Sequence, residues 1–227
     1  MKLSSLETVS FNSAAGSHIV QICQNEISQV EILTQYIQEG LLNDEAVIVI
    51  AKTALRKAVL SKLDTLGFNM QALKNKDQVK FFDAEFLLSD LLLNGVLEEE
   101  AFQKFVALPV QAAKLKYGKV RAFGEMVDVL WQNGRHDSAV QLEGLWSDLC
   151  KKEELNLLCT YLLTSLDPNS YDQSLEHICK CHTHLVPMSR SFNPKVGEAM
   201  LIMFWAAWNR VVAKLAKSHQ IIRQIST

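Results

Sequence analysis

Short apolar runs alternate with longer amphipathic stretches through the first 163 residues of the chain. Between the runs, apolar residues recur at helical spacing, as at Ile27, Val30, Leu33 and Ile37. Five runs have the length and the β-branched or aromatic content of strands: 18–23, 46–51, 79–82, 120–123 and 155–163. Strands that alternate with helices predict an α/β fold with a mainly parallel sheet flanked by helices.

Glycine and proline positions shape the helices of this pattern. Gly40 is expected to end the first helix, because glycine is the usual residue just past a helix end. Asn94-Gly95 separates two further helices, predicted over 83–93 and 98–117. Pro109 is expected to break or kink the second of these, because proline has no backbone N–H and its ring collides with the preceding turn.

The chain changes character at about residue 166. We predict an α/β domain over 1–166 and a helical C-terminal extension over 167–227. The extension begins with a helix at 171–181 and ends with a long amphipathic helix at 195–225. Apolar residues occupy more than one side of this last helix, so it needs burial on more than one side. It either covers its own domain or also contacts a second copy, as a homodimer, or a partner protein.

Composition narrows the range of partners. The formal net charge of −2 gives no general attraction to nucleic acid or to anionic membranes. The longest apolar stretch, 199–207, is too short to cross a bilayer, and the first 16 residues lack the basic start and apolar core of a signal peptide. Five cysteines, an odd number, argue against a complete disulfide framework. We therefore expect a cytoplasmic protein with no nucleic-acid partner and no membrane contact.

The strand predicted at 120–123 runs out at an acidic residue, Glu125, within a distinctive pattern. The pattern is Arg121-x-Phe-Gly-Glu-Met-Val-x-x-Leu-Trp-x-x-Gly134, followed by Leu142-Glu-x-Leu-Trp-x-x-Leu149 and Leu158-Cys-x-Tyr161. These pieces, in this order, resemble the MEDS domain, a sensory module named for methanogens, methylotrophs and the regulator DcmR. The resemblance implies a sensory or regulatory role, a small-molecule ligand such as a hydrocarbon derivative, and signalling to a partner protein.

The order of elements also resembles the RecA-like core of the KaiC family of ATPases, which implies a RecA-like sheet. In those enzymes a glycine-rich loop after the first strand cradles phosphates, and a lysine reaches the outer phosphates. Residues 24–31 stand at this place, with no glycine, no lysine and two carboxylates, Glu26 and Glu31. We therefore expect no enzyme activity and no catalytic residues. The alternative is an enzyme that uses the same pocket, either a residual nucleotide hydrolase or a metal-assisted hydrolase.

Ligands of open α/β sheets bind at the carboxyl ends of the strands. Gln24, Asn25, Glu125 and Tyr161 are predicted at such ends and are candidates for ligand binding. For Glu125 the alternative is an acid that caps the first turn of the following helix, where the helix dipole favours negative charge.

Two further candidates for ligand binding have structural alternatives. Arg121 lies inside a strand, where a guanidinium needs a carboxylate partner if it is buried. His18 is a candidate because it matches a histidine of the family's opening motif. Its place at the amino end of the first strand favours a structural role, since the usual ligand pocket is at the opposite end of the sheet.

Five side chains that can bind metals crowd into the segment 177–184: His177, Cys179, Cys181, His182 and His184. On a helix, three of them would share one face, as a borderline metal requires. Their spacing matches no common zinc module, and no second ligand group such as a CxxC is evident elsewhere, so neither a metal nor a cofactor is expected. Cys159, inside an apolar strand, is expected to be an inert buried thiol.

Overall fold

The computed structural model describes Phe11, residues 15–162, His182 and residues 184–185. Within these residues the chain forms the strands β1 (His18–Cys23), β2 (Ala46–Ala51), β3 (Val79–Asp83), β4 (Leu92–Leu93), β5 (Val96–Leu97), β6 (Val120–Gly124), β7 (Asn156–Leu162) and β8 (His184–Leu185). The same residues form the helices α1 (Glu26–Leu42), α2 (Thr53–Thr65), α3 (Met70–Asn75), α4 (Ala84–Leu91), α5 (Glu99–Phe102), α6 (Leu108–Tyr117), α7 (Met126–Gln132) and α8 (His136–Glu153).

Six of the strands form one sheet in the order β3-β2-β6-β7-β1-β8, and β4 pairs with β5 in a separate hairpin. All neighbours in the large sheet are parallel. The predicted α/β class with a mainly parallel sheet flanked by helices is confirmed. Strand β8, which pairs with β1 through only two residues, was not predicted.

Helices cover both faces of the sheet and create two cores. Helices α1, α2 and α3 pack on one face, against strand residues such as Val49, Phe123 and Leu158. Helices α4 to α8 pack on the other face, against residues such as Ile48 and Cys159. Because successive side chains of a strand point to opposite faces, β7 contributes Leu158 to the first core and Cys159 to the second.

Local structure departs from the sequence prediction at two places. The helix predicted over 83–93 ends at Leu91, and the chain forms the β4–β5 hairpin, with Asn94 and Gly95 at positive φ of 53° and 83°. Such a turn matches the twist of a two-residue hairpin. A π-helical turn, Gln103–Ala107, joins α5 to α6 directly before Pro109. The chain therefore accommodates the proline by a wider turn without a break in the helical path.

The predicted helices at 171–181 and 195–225 lie outside the described residues. The division of the chain into 1–166 and 167–227 therefore stays a prediction. Within the part that the structure describes, no helix combines the length and the apolar character needed to cross a membrane.

Candidate functional site

Four side chains with metal-binding or acid–base chemistry meet on the face of the sheet that α8 covers. They are His18, Glu143, Cys159 and His182, hereafter the His–Cys–Glu cluster. Their ligand atoms all lie within 4.8 Å of one another, and all four residues are buried. The cluster thus joins four separate segments of the chain at one point beneath the protein surface.

Strand alternation brings two members of the cluster together. Val20 pairs with Cys159 on the neighbouring strand, and both pack in the core under α8. His18 lies two residues before Val20 on β1 and therefore faces the same side of the sheet. The diagonal arrangement places Nε2 of His18 3.3 Å from Sγ of Cys159.

The other two members come from α8 and from the chain that leads into β8. Glu143 lies in the buried stripe of α8, between Leu142 and Trp146. Its Oε2 is 3.3 Å from Nε2 of His18, and its Oε1 is 3.6 Å from Nε2 of His182. His182 precedes β8, which pairs with β1 directly beside His18. The rings of the two histidines are 4.0 Å apart between centroids.

Two outer groups orient the members of the cluster. Ser147, one helical turn after Glu143, places its Oγ 3.1 Å from Nδ1 of His18. Tyr161 donates its hydroxyl hydrogen to Oε1 of Glu143 at 2.6 Å. The ring of His18 is therefore held with Nε2 directed at the cluster, and Glu143 is held with Oε2 directed at Nε2 of His18.

Burial controls the electrostatics of the cluster. It raises the pKa of Glu143, and the contacts with His182 and Tyr161 oppose this only in part. Burial also raises the pKa of Tyr161 well above its usual value, so the phenol keeps its hydrogen and remains a donor. Oε2 of Glu143 accepts no hydrogen bond within the described part of the chain. A positive charge placed among these side chains would therefore be strongly favoured.

The carboxyl edge of the sheet, where the sequence predicted a ligand, is organised differently. The connection from β1 to α1 consists of only Gln24 and Asn25. Asn25 caps α1, because its side chain accepts a hydrogen bond from the backbone N–H of Ser28, whose hydroxyl in turn accepts one from the backbone N–H of Asn25. The backbone N–H groups of Asn25 and Ser28 are occupied by this capping box, so they are not available to an anion at the start of the helix.

A sequence model of the MEDS domain, described as the methanogen/methylotroph, DcmR sensory domain, matches residues 17–183. The matched range is more than half of the chain and contains every member of the His–Cys–Glu cluster. The chain belongs to the MEDS family. The comparison with curated proteins gave no match, so the assignment rests on this family match.

In this MEDS domain, Glu125 binds Lys52 across the ends of β6 and β2. Its Oε2 accepts a hydrogen bond from the backbone N–H of Lys52 at 2.6 Å, and its Oε1 is 3.3 Å from the Lys52 ammonium. Glu125 occupies the N-cap position of α7, but its side chain makes no capping hydrogen bond. The alternative is therefore confirmed in its position at the start of the helix, but Glu125 makes no capping hydrogen bond there. Its bonds instead tie two neighbouring strands together.

The remaining predicted ligand residues of the MEDS domain lie in separate places. Gln24 and Asn25 are at the carboxyl edge, whereas Tyr161 and His18 belong to the buried cluster and its surroundings. Arg121 is buried on the opposite face, where its Nε donates to Glu45 at 2.6 Å. Arg121 therefore has the carboxylate partner that its structural role requires, and the Tyr161 hydroxyl is directed at Glu143 of the cluster.

The sequence interpretation missed Glu143 and Ser147 and treated Cys159 as inert. The reason for expecting no metal, the lack of a second ligand group, needs correction. His182 does meet such a group, formed by His18, Glu143 and Cys159. One signal was available: Glu143 is an acid inside the apolar stripe of an amphipathic helix, a position that is rarely acidic unless the acid has a partner.

Substitution of Glu125 by glutamine tests the electrostatics of the carboxyl edge. Burial raises the pKa of Glu125 above its usual value of 4.5, although Lys52 opposes the shift. The folded protein therefore binds this proton more tightly than the unfolded chain, and the stability from this binding is lost as pH rises through the folded-state pKa. We expect the stability of Glu125→Gln relative to the wild type to increase from pH 4 to pH 7, measured by urea unfolding.

Asp83→Asn is the matched control and should show the opposite trend. The hydrogen bond from the backbone N–H of Phe86, together with those from Thr53 and Arg56, lowers the pKa of Asp83. Its contribution is present above its usual value of 3.8 and is lost as pH falls through the folded-state pKa. Parallel pH profiles for the two variants would show that Glu125 is not the group with the raised pKa.

Proposed function

We propose that the protein is a non-catalytic sensory domain of the cytoplasm, which binds a small ligand and passes its state to a partner protein. Membership of the MEDS family over residues 17–183 carries this proposal. The kinship with RecA-like and KaiC-like ATPases is part of the proposal, with the phosphate loop lost. We also propose that the domain signals to a partner protein, or to a second copy of itself through the predicted C-terminal helix.

The β1–α1 connection supports a role without nucleotide hydrolysis. A phosphate loop wraps its backbone N–H groups around the phosphates, whereas two residues join the strand to the helix in this protein. Lys52, a cation at this edge, is already paired with Glu125. Phosphoryl transfer depends on positioning and charge neutralisation, and this edge of the sheet has lost the loop that supplies both.

The His–Cys–Glu cluster does not favour the alternative of a metal-assisted hydrolase. Catalytic metal sites keep one coordination position open to water or substrate. His18, Glu143 and His182 are at most 3% exposed, and the cluster offers four ligand side chains. A closed site of four side chains suits a structural or sensing role better than hydrolysis.

A groove between α4, α7 and the β4–β5 hairpin is the site that we propose for the small ligand. Its volume of about 680 Å³ lies in the range of small-molecule sites. Leu88, Leu92 and Leu130 form apolar walls, and Glu85 and Arg135 add charge. An apolar wall with a few polar groups fits a hydrocarbon derivative with one polar end.

A binding experiment tests this proposal on the full chain. Short-chain alcohols, aldehydes and amines are titrated while the Tm is followed, because only a ligand that prefers the folded state raises it. We expect at least one compound to raise the Tm, and Ser89→Trp, which fills the groove from its exposed rim, to abolish the shift. Ser61→Trp, on an exposed position of α2, is the matched control and should keep the shift.

ATP with magnesium at millimolar concentration serves as the negative probe and should leave the Tm unchanged. A clear upward shift with ATP, or ATP turnover that Glu125→Gln abolishes, would contradict the non-catalytic role. A ligand-induced shift that persists in Ser89→Trp would instead place the ligand outside the groove.

A further inference from the structure

We propose that the His–Cys–Glu cluster is a closed binding site for a borderline divalent metal ion of the zinc class, with His18, Glu143, Cys159 and His182 as its four ligands. The proposal does not depend on the sensory function, because it concerns only the chemistry and geometry of four buried side chains.

The spacing of the ligand atoms agrees with tetrahedral coordination. Zinc lies about 2.0–2.3 Å from nitrogen, oxygen and sulfur ligands, so neighbouring corners of a tetrahedron around it are about 3.3–3.8 Å apart. Nε2 of His18 lies 3.3 Å from Sγ of Cys159 and 3.3 Å from Oε2 of Glu143, and the four ligand atoms all lie within 4.8 Å of one another. An ion at the centre would therefore need little movement of the side chains.

The identity of the donor atoms selects the class of metal. Two imidazole nitrogens, one thiolate sulfur and one carboxylate oxygen form a mixed set, between the all-oxygen sites of magnesium or calcium and the sulfur-rich sites of copper(I). Zinc binds nitrogen, sulfur and oxygen ligands, and in structural sites it is usually held by four ligand atoms. Its two positive charges would also neutralise the carboxylate of Glu143 and the thiolate of Cys159, both of which are buried.

Ser147 and Tyr161 orient the proposed ligands in the way that neighbouring groups orient the ligands of metal sites. A histidine ligand commonly binds another group through its second ring nitrogen, which fixes the orientation of the ring. Ser147 has this role toward Nδ1 of His18, at 3.1 Å. Tyr161 donates to Oε1 of Glu143, whereas Oε2 accepts no hydrogen bond within the described residues and stays directed at the cluster. A buried carboxylate oxygen without a hydrogen bond is costly, and a cation bound beside it would remove this cost.

Such a site would tie the weakly joined segment before β8 to the sheet and to α8. His18 and Cys159 come from the adjacent strands β1 and β7, Glu143 comes from α8, and His182 comes from the segment before β8. Strand β8 pairs with the sheet through two residues only. A bound ion would thus hold β8, the border strand of the sheet, in place through His182, which lies two residues before this strand.

Metal analysis and cobalt spectroscopy of the full chain test the proposal. The purified protein should contain about one zinc per chain, or take up about one Zn²⁺ or Co²⁺ after chelation. Cobalt(II) should give the visible bands of a tetrahedral site and a thiolate charge-transfer band in the near ultraviolet. Zinc should raise the Tm of the chelated protein by about 5 °C or more, because the ion binds only the folded site.

Matched variants locate the site. Cys159→Ser should remove the thiolate band, whereas Cys150→Ser, at another buried thiol, should leave it unchanged. Glu143→Gln keeps the shape of the side chain and its bond with Tyr161, and it should weaken metal uptake at least about tenfold. Circular dichroism first establishes that each variant is folded; if Cys159→Ser is not, Glu143→Gln decides.

Two results would overturn the proposal. One is a folded wild-type protein that takes up neither zinc nor cobalt. The other is uptake that Cys159→Ser and Glu143→Gln leave unchanged, which would assign the metal to other ligands, such as those at 177–181.

Discussion

Replacement of Arg121 by alanine is expected to lower the free energy of unfolding by about 3–5 kcal/mol, because it leaves the buried carboxylate of Glu45 without its cation. Nε of Arg121 donates to Glu45 at 2.6 Å, and Nη1 donates to the carbonyl of Tyr36 at 3.0 Å and lies 3.6 Å from Glu39. The guanidinium also lies 4.7 Å from the centre of the Tyr36 ring. Urea unfolding followed by circular dichroism measures the effect.

Two comparisons separate the buried charge from a general loss of contacts. Lys116→Ala breaks an exposed ion pair with Asp77 and should cost less than about 1 kcal/mol. The double replacement Arg121→Met with Glu45→Leu should recover part of the loss, because no charge is then left unpaired. A cost of less than about 1 kcal/mol for Arg121→Ala would show that Glu45 finds another partner or becomes hydrated.

Replacement of Trp146 by alanine is expected to cost about 3–5 kcal/mol through the cavity that it leaves in the core under α8. Trp146 is fully buried and meets Phe102 edge to face, with 5.4 Å between ring centroids. Gly124 of β6 lies against the indole, and a Cβ at this glycine would come within 3.6 Å of it. Circular dichroism is the appropriate probe, because the substitution itself changes the fluorescence.

The control for Trp146 uses the same position and one exposed position. Trp146→Phe should cost clearly less, since it keeps most of the ring and removes an indole N–H that has no acceptor within the described residues. Leu115→Ala should change stability by less than about 0.5 kcal/mol, because Leu115 is 90% exposed. Equal costs for the alanine and phenylalanine variants at position 146 would argue against the cavity as the cause.

The strands of the sheet could be predicted closely because their sequences are covered on both faces. Strands β1 and β2 have the bounds expected from the apolar runs 18–23 and 46–51. A fully buried parallel strand has no polar face, so its whole length is visible as one apolar run. The hairpin at Leu92–Leu97 was harder to predict, because two-residue strands are too short to show any periodicity.

Gly40 has a different role from the one that the sequence predicted. The sequence suggested that this glycine ends the first helix, whereas α1 continues to Leu42. A Cβ at Gly40 would come within 2.7 Å of Cδ of Arg121, so the glycine provides the space for this buried side chain. Such a close approach depends on the register between a helix and a strand 80 residues away, which no local pattern contains.

The His–Cys–Glu cluster was hidden from the sequence for a similar reason. Its members come from two strands, one helix and the segment before a third strand, and their meeting depends on strand order and on the rotation of α8. The sequence identified His18 as a ligand candidate and His182 as one of five possible metal ligands at 177–184, but it gave them different surroundings. Spacing along the chain finds ligands that share one element, and these ligands share none.

The two-residue pairing of β8 also determines how the sheet would behave if that strand detached. Strand β1 would then form a border of the sheet, and those of its backbone N–H and C=O groups that point away from β7 would lack partners. An unprotected border of this kind is a template for strands of other molecules. We therefore expect the short strand β8 to keep β1 from pairing with other molecules, and any bond that holds β8 to β1 to lower the tendency to aggregate.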